Sequence, residues 1–555
     1  MKKAKVTMAL VLSAAAALSA GCGSTGSASG SSGATSSETA SQAASGTEQM
    51  TSSTSDPKTL TAVIYSDITG FDPTQAYDGY TNLVVNQITE SLLSFDNDNK
   101  LVCDLAKSWE QKDDTTYVYE VRDDIKFSDG NPMTMDDVLF SINRNMDPSV
   151  ASLLGWMYDS VDSIEQTGDW ELTVKLKNPD ATWQYTFATT GGQIIEKAAY
   201  EKDKSIVGTN AYKYESRTNG SQVVLTKNDN YSTFDDPVYF DKIVYNIITE
   251  DTTRVQAFTS GQADFGMNPP LDMLDQLESA DNVTVDMFDT FGMDFLAFNT
   301  CREPFNDPNV RKAVACALDV DSIYSSLLSK YCSQSTQLPF SSVLYDTVGT
   351  SEEWEDYAKD YNKYKYDLDA AKKYLAQSNY PDGFTCDLVV NDTSLQNSEA
   401  LYIQAALQEL GITVNINKMT DNDATNIQFG STWDSSNNCR DYDMGIFTWY
   451  ADYPDISGNL VPVYLSDNAA AGGSNTSGYS NAEVDEYLRE QLAESDPEKR
   501  AELMKKALDI IGEDIPMLIL DYPKQGAMYS NTLQNVNVSA SYVWNTYFRT
   551  MSRAE

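Results

Sequence analysis

Residues 386–416 spell out a complete β-α-β unit, and no other stretch narrows the architecture of this chain as far. An apolar strand run at 386–390 is followed by helical spacing over 398–410, which Gly411 stops, and by a second strand run at 413–416. Two strands joined through a helix in so short a span lie parallel, with a right-handed crossover. The flanking sequence continues the mixture. Residues 62–65, 116–121 and 171–177 read as strands, the last with Leu172, Val174 and Leu176 on one face. Residues 81–93 carry helical spacing through Leu83, Ile88 and Leu92, and 251–260 form a further short helix. Local caps mark three more helices. Thr134 with Asp137 opens one that runs to Met146, Asp307-Pro308 opens one through Leu318, and Asp496-Pro497 opens an amphipathic helix to Ile511. The class is α/β (mixed α+β), with no repeat of solenoid length.

The beginning of the chain is of a different kind. Lys2, Lys3 and Lys5 precede a weakly apolar run over 6–18, which gives way to Ser19-Ala20-Gly21-Cys22. A basic head, an apolar core too short to span a bilayer and small residues make an export signal. Residues 23–57 contain no aromatic residue and no Val, Ile or Leu. Such a stretch buries too little surface to offset its ordering entropy, so it reads as a disordered tether whose ends lie roughly 30 Å apart.

Charge and composition remove several function classes. The formal net charge is −43, and removing residues 1–22, with three lysines and no acid, leaves −46 (−43 − 3). Phosphate polyanions are repelled by such a chain, which excludes nucleic acid as a partner. Histidine is absent, and with it Ser-His-Asp and Cys-His catalysis and His-ligated zinc. The seven cysteines (Cys22, Cys103, Cys301, Cys316, Cys332, Cys386 and Cys439) show neither a CxxC pair nor a zinc spacing. Apart from Cys22 they read as packed thiols, with room for one bridge. No cofactor and no metal is called for, and the protein is read as a binding protein rather than an enzyme.

Six segments in order resemble the solute-binding proteins of the peptide/nickel ABC importer group. They are 88–95 with 105–110; 121–130 with 134–138; Val207-Gly208-Thr209-Asn210-Ala211-Tyr212; 298–319, containing Phe305-Asn306-Asp307 and Val310-Arg311-Lys312-Ala313; Ala451-Asp452-Tyr453-Pro454-Asp455; and 479–500, from Tyr479-Ser480-Asn481 to Asp496-Pro497. The resemblance covers residues 58–535 and implies a two-lobed periplasmic-binding-protein-like fold with a ligand cleft between lobes. Its implied domains are a lipoprotein signal peptide at 1–22, a tether at 23–57, a first lobe at 58–300 and 521–555 that includes an inserted domain at about 102–206, and a second lobe at 301–520. Cys22 resembles the lipidated residue of a bacterial lipobox, with Ser19 where the pattern prefers leucine. The implied protein is a monomer that sits at the outer face of the cytoplasmic membrane and hands short peptides to the permease and ATPase subunits of an importer.

Asp452 leads the candidate site residues. It follows an apolar strand at 444–447 and precedes Pro454, a strand-to-loop exit of the kind that carries cleft ligands in α/β folds. In peptide-binding relatives the matching Asp accepts the ligand's α-ammonium, which a cleft carboxylate suits through charge-assisted hydrogen bonds. Asp455 is the alternative, as a turn-capping residue. Trp449 and Tyr453 flank Asp452, and strand alternation allows only some of these aromatics to face the cleft. Trp156, next to Gly155, and Tyr65, at the strand end before Ser66 and Asp67, are candidates by position, and Phe291-Gly292 is a candidate hinge. An oligosaccharide or metal chelate in the same cleft is the nearest alternative, and a secreted glycoside hydrolase, needing only two carboxylates, is the alternative from another class.

Overall fold

The computed structural model describes residues 56–554 apart from 235–236, 431–432 and 435–438. The signal peptide, Cys22 and nearly all of the tether therefore lie outside the described residues. Twelve strands form the main sheet. In chain order they are β1 (Thr59–Ile64), β2 (Tyr212–Thr218), β3 (Gln222–Lys227), β4 (Lys242–Ile247), β5 (Phe265–Met267), β6 (Val283–Asp289), β7 (Gly292–Phe298), β8 (Cys332–Gln334), β9 (Thr385–Asn391), β10 (Thr413–Met419), β11 (Met444–Tyr450) and β12 (Met517–Ser530). Across the sheet the order is β2-β3-β4-β1-β5-β12-β7-β11-β9-β10, with β6 and β8 also paired to β12.

The 386–416 reading holds. β9 and β10 are parallel, from Thr385 opposite Thr413 to Asn391 opposite Met419, and are joined through the helix Ser394–Gln408. The other anchored helices also form. Thr134 and Asp137 make a reciprocal capping box before Met135–Met146, Asp307 caps Pro308–Ala317, and Asp496 accepts from the Glu498 and Lys499 amides to start Pro497–Asp514. One expected helix is shorter than its pattern. Gly79–Val85 is helical, but Glu90–Ser91 and Leu93–Phe95, the second half of the expected 81–93 helix, are strands. They pair with Gln193–Ile194 and Leu101–Cys103, and the buried Glu90 accepts from the Thr209 and Thr233 hydroxyls at 2.7 and 2.9 Å. Partners more than a hundred residues away outweigh local spacing there.

The apolar interior is divided. One core gathers on β1 and β4 (Leu60, Ile64, Ile243, Tyr245), and a second belongs to a separate four-stranded antiparallel sheet (Ala106–Asp113, Thr116–Val121, Glu171–Leu176, Val161–Gly168) with the helix Met135–Met146 against it. Two more lie on opposite faces of β7, β9 and β11. The long strand β12 joins these regions, pairing through residues 517–523 with β7 and β8 and through 524–530 with β5 and β6. The chain crosses again between β6 and β7, where the Thr290 hydroxyl donates to the Pro523 carbonyl at 2.7 Å. Gly292, at this crossing, lies opposite Tyr450, and a Cβ there would sit 2.6 Å from the Tyr450 ring, so any side chain at this position would have to displace that ring. All six described cysteines are free thiols, so none forms the bridge that the sequence left room for. Among the described residues no helix is long and apolar enough to cross a membrane.

Candidate functional site

Asp452 stands two residues beyond the end of β11, on a loop fixed from several sides. The Trp449 indole donates to the Gly458 carbonyl at 2.9 Å. Asp455, fully buried, accepts from the Ser457 amide at 2.8 Å to start the helix Ser457–Tyr464, and both its oxygens meet Arg500 at 3.0 Å. Asp455 is thus the turn-capping carboxylate and is already neutralised. Asp452 is not. It is half-buried, accepts one hydrogen bond, from the Tyr77 hydroxyl at 3.2 Å, and pairs with no lysine or arginine among the described residues. Burial pushes its carboxyl up to about 6, with the Tyr77 hydrogen bond pulling the other way.

Tyr77 comes from the opposite wall. It is 52% exposed and precedes Asp78, the N-cap of Gly79–Val85. Two further contacts span the same gap. Tyr185 stacks on Tyr453 with centroids 5.6 Å apart and planes 6° from parallel, and the Gln525 side-chain amide, on β12, donates to the Tyr450 hydroxyl at 3.1 Å. Gln525 also lines a cavity of about 490 Å³ with Tyr65, Tyr80, Asn268 and Tyr542. In that cavity Tyr65 meets Tyr80 edge-on at 4.6 Å, and the Arg254 guanidinium lies 4.8 Å from the Tyr65 ring centre. Asp67, beside it, is occupied by the Gly220 amide (2.7 Å) and Arg217 (3.0 Å). The gap therefore has aromatic walls, and of its carboxylates Asp67 is held by Arg217 and Asp78 is an exposed helix cap, whereas Asp452 is half-buried with acceptor capacity unspent.

The residues singled out from sequence fall into three places. Asp452 and Tyr453 lie at the gap, joined to the opposite wall through Tyr77 and Tyr185. Tyr65 lines the 490 Å³ cavity. Trp449 is half-buried, turned toward the core that holds Phe295 and Phe447. Trp156, 44% exposed, sits in the short turn Gly155–Tyr158. The neighbouring Leu153 amide donates to the Thr74 carbonyl at 3.0 Å, close in sequence to Tyr77, but among the described residues the Trp156 ring stacks on no other aromatic ring. Sequence reasoning missed Tyr77, Tyr185, Gln525 and Asn268. Asn268 alone carried a signal, as a residue before Pro269-Pro270 suited to its left-handed φ of 57°. A larger cavity, about 560 Å³ around Asp319, Thr336, Tyr345 and Tyr366, shares no residue with these walls, and its open carboxylates, Asp321 and Glu355, are solvent-exposed where Asp452 is half-buried, so the gap is the better candidate.

Comparison with known proteins agrees with this architecture. The sequence profile of bacterial extracellular solute-binding proteins, family 5 Middle, matches residues 100–471, well over half of the chain. The glutathione-binding protein GsiB of Escherichia coli (strain K12) is 25% identical over 494 residues, covering 88% of this chain and 93% of GsiB. The periplasmic binding protein DppA from Helicobacter pylori, solved with the peptide STSA, aligns with a TM-score of 0.72 at 24% identity, over 90% of this chain and 98% of that one. The oligopeptide-binding protein AppA from Bacillus subtilis, solved with a nonapeptide, aligns with a TM-score of 0.70 at 22% identity, over 90% and 99%. At such identities the structural likeness speaks for the two-lobed fold.

Proposed function

Because the chain belongs to the bacterial extracellular solute-binding proteins of family 5, we propose that it captures short peptides and delivers them to the permease and ATPase subunits of an ABC importer. The observation that carries the peptide reading is Asp452: a half-buried carboxylate at the gap between walls, hydrogen-bonded once and unpaired with any cation among the described residues. A primary ammonium supplies the charge and the donors that this group lacks. Tyr453 and Tyr65 offer aromatic surface for side chains of varied identity, as do Trp449 and Trp156 where their rings stay open. GsiB and the solved complexes of DppA and AppA, all named for peptides or bound to them, favour the same ligand class.

Closure of the lobes over the ligand converts occupancy into a shape that the permease recognises. The division into a first lobe (58–300, 521–555, with an insertion at about 102–206) and a second (301–520) is supported by the separate apolar cores and by the crossings at Thr290 and Pro523. The chain works as a monomer held by lipid on Cys22 at the outer face of the cytoplasmic membrane, a reading supported by the small residues before Cys22 and the tether after it. It binds without turnover.

The test is direct. The protein from Asp56 onward is titrated with free and N-acetylated tripeptides by calorimetry, with small-angle scattering to follow compaction. One-to-one binding of the free peptides with compaction is expected, and equal affinity for the acetylated series, or steady hydrolysis of the peptide, overturns the proposal. Cys22→Ala should leave the full chain soluble or unprocessed; unchanged membrane attachment refutes the anchor.

A further inference from the structure

β7 and β12 bring two carboxylates face to face. Their pairing shifts register between Asp294 and Phe295: Asp294 lies opposite Asp521, whereas Phe295 lies opposite Ile519. Leu520 is therefore the extra residue of a bulge, a device that re-aims side chains at functional sites. Without it Asp294 would face Leu520. Cys332, on β8 along the other edge of β12, completes the group: a carboxylate oxygen from each aspartate and the Cys332 sulfur all lie within 4.8 Å of one another.

Like charges directly opposite on paired strands destabilise a sheet. Here the cost is raised by burial. Asp521 is fully buried and neither of its oxygens has a hydrogen-bond partner, and Cys332 is 3% exposed. Asp294 keeps some access to solvent and accepts a hydrogen bond from the Thr448 hydroxyl on β11. Glu399, on the helix Ser394–Gln408, is also buried near this group. No lysine or arginine pairs with Asp294, Asp521 or Glu399 among the described residues. Buried charges persist in proteins when they are paired or hold a metal.

We propose that Asp294, Cys332 and Asp521 bind a divalent metal ion of zinc-like character, which ties β7, β8 and β12 together beside the crossing of the two lobes. Thiolate with carboxylate is a borderline-soft donor set, suited to zinc rather than calcium or magnesium. Oxygens and sulfur on one tetrahedral ion stand roughly 3.5 Å apart, so small side-chain rotations bring this group to coordination distance. The Thr448 hydroxyl then orients Asp294 from outside the coordination shell, as supporting hydrogen bonds do at metal sites. Binding releases the protons that burial holds on Asp294, which is pushed up to about 6, and that burial with the neighbouring carboxylates holds on Asp521 and Cys332, which are pushed higher. The three donors lie far apart in sequence, which is why cysteine spacing gives no hint of the site. The peptide reading of Asp452 does not depend on it.

Cobalt(II) makes the test specific, because a thiolate ligand gives a charge-transfer band in the near ultraviolet. Chelator-treated protein is titrated with cobalt(II) alone and then with zinc(II) alone. One equivalent of cobalt should produce the band, one equivalent of zinc should abolish it, and the band should be absent in Cys332→Ser and lost or much weakened in Asp521→Asn. It should persist in Cys439→Ser, since Cys439 and its neighbour Cys301 form a close thiol pair outside the proposed site. A band retained in Cys332→Ser but lost in Cys439→Ser assigns the metal elsewhere and overturns the proposal. So does the absence of stoichiometric binding by the unaltered protein, which would leave the two aspartates sharing a proton.

Discussion

Asp452 places stability and binding in opposition, and pH separates them. Its carboxyl is raised from an ordinary 3.8 to about 6 by burial, against the pull of Tyr77. Below pH 3.8 the group is protonated in both folded and unfolded chains and contributes nothing. Between 3.8 and 6 the unfolded chain releases the proton while the folded one keeps it, so stability falls as pH rises. Above 6 the full cost is present, at most about 3 kcal/mol for a shift of this size at about 1.4 kcal/mol per unit, and less to the extent that water reaches the half-buried group. Asp452→Asn keeps the shape and the acceptor for Tyr77 and removes the charge. The ligand-free variant should therefore be more stable than the parent at pH 7.5 and equal to it near pH 3.8, read from urea midpoints across that range. Peptide binding should run the other way. An α-ammonium needs the ionised carboxylate, so affinity should fall about tenfold per unit below pH 6 in the parent and stay flat in Asp452→Asn. At pH 7.5 the variant should lose about 2–5 kcal/mol of binding, roughly thirty-fold or more, for free peptides and little for acetylated ones. Destabilisation by Asp452→Asn at pH 7.5, or parent affinity unchanged from pH 7 to 5, would refute the reasoning.

Three further substitutions probe the frame around the site. Arg500→Ala strands the buried Asp455 that it grips through both oxygens and should lower stability by about 3–5 kcal/mol in denaturant titration, far more than removal of an exposed pair such as Arg489 with Asp467. Gly208→Ala would place a Cβ 2.1 Å from the Ile88 carbonyl oxygen and should cost several times more stability than Gly79→Ala, where nothing lies within 4 Å. Tyr453→Ala removes the stack on Tyr185 across the gap and should enlarge the radius of gyration of the unliganded protein in small-angle scattering; an unchanged radius would show that the stack does not hold the lobes together.

What the sequence reveals here depends on the distance over which each feature is decided. Thr134 and Asp137 are three residues apart, and Asp496 and Pro497 are adjacent; each pair encodes its helix start locally, and each helix begins where the sequence places it. The strand exit at Asp452 is legible for the same reason, since apolar β11 and Pro454 bracket it. What makes Asp452 distinctive is not local. Asp452 and Asp455 look alike in sequence, and only Arg500, 45 residues on, and Tyr77, 375 residues back, separate a neutralised structural carboxylate from one with capacity to spare. The failed half of the 81–93 helix is the same lesson in the backbone, because Glu90 and Ser91 answer to residues 193–194 rather than to their own spacing. The register of β12 carries it furthest: one extra residue, Leu520, decides whether Asp294 faces a leucine or an aspartate, and no periodicity in either strand announces that choice. Function in this fold is written in pairings between distant segments, so a site's chemistry is recovered by asking of each buried carboxylate which partner neutralises it, a question that picks out Asp452, Asp294 and Asp521 together with Glu399 and Asp104.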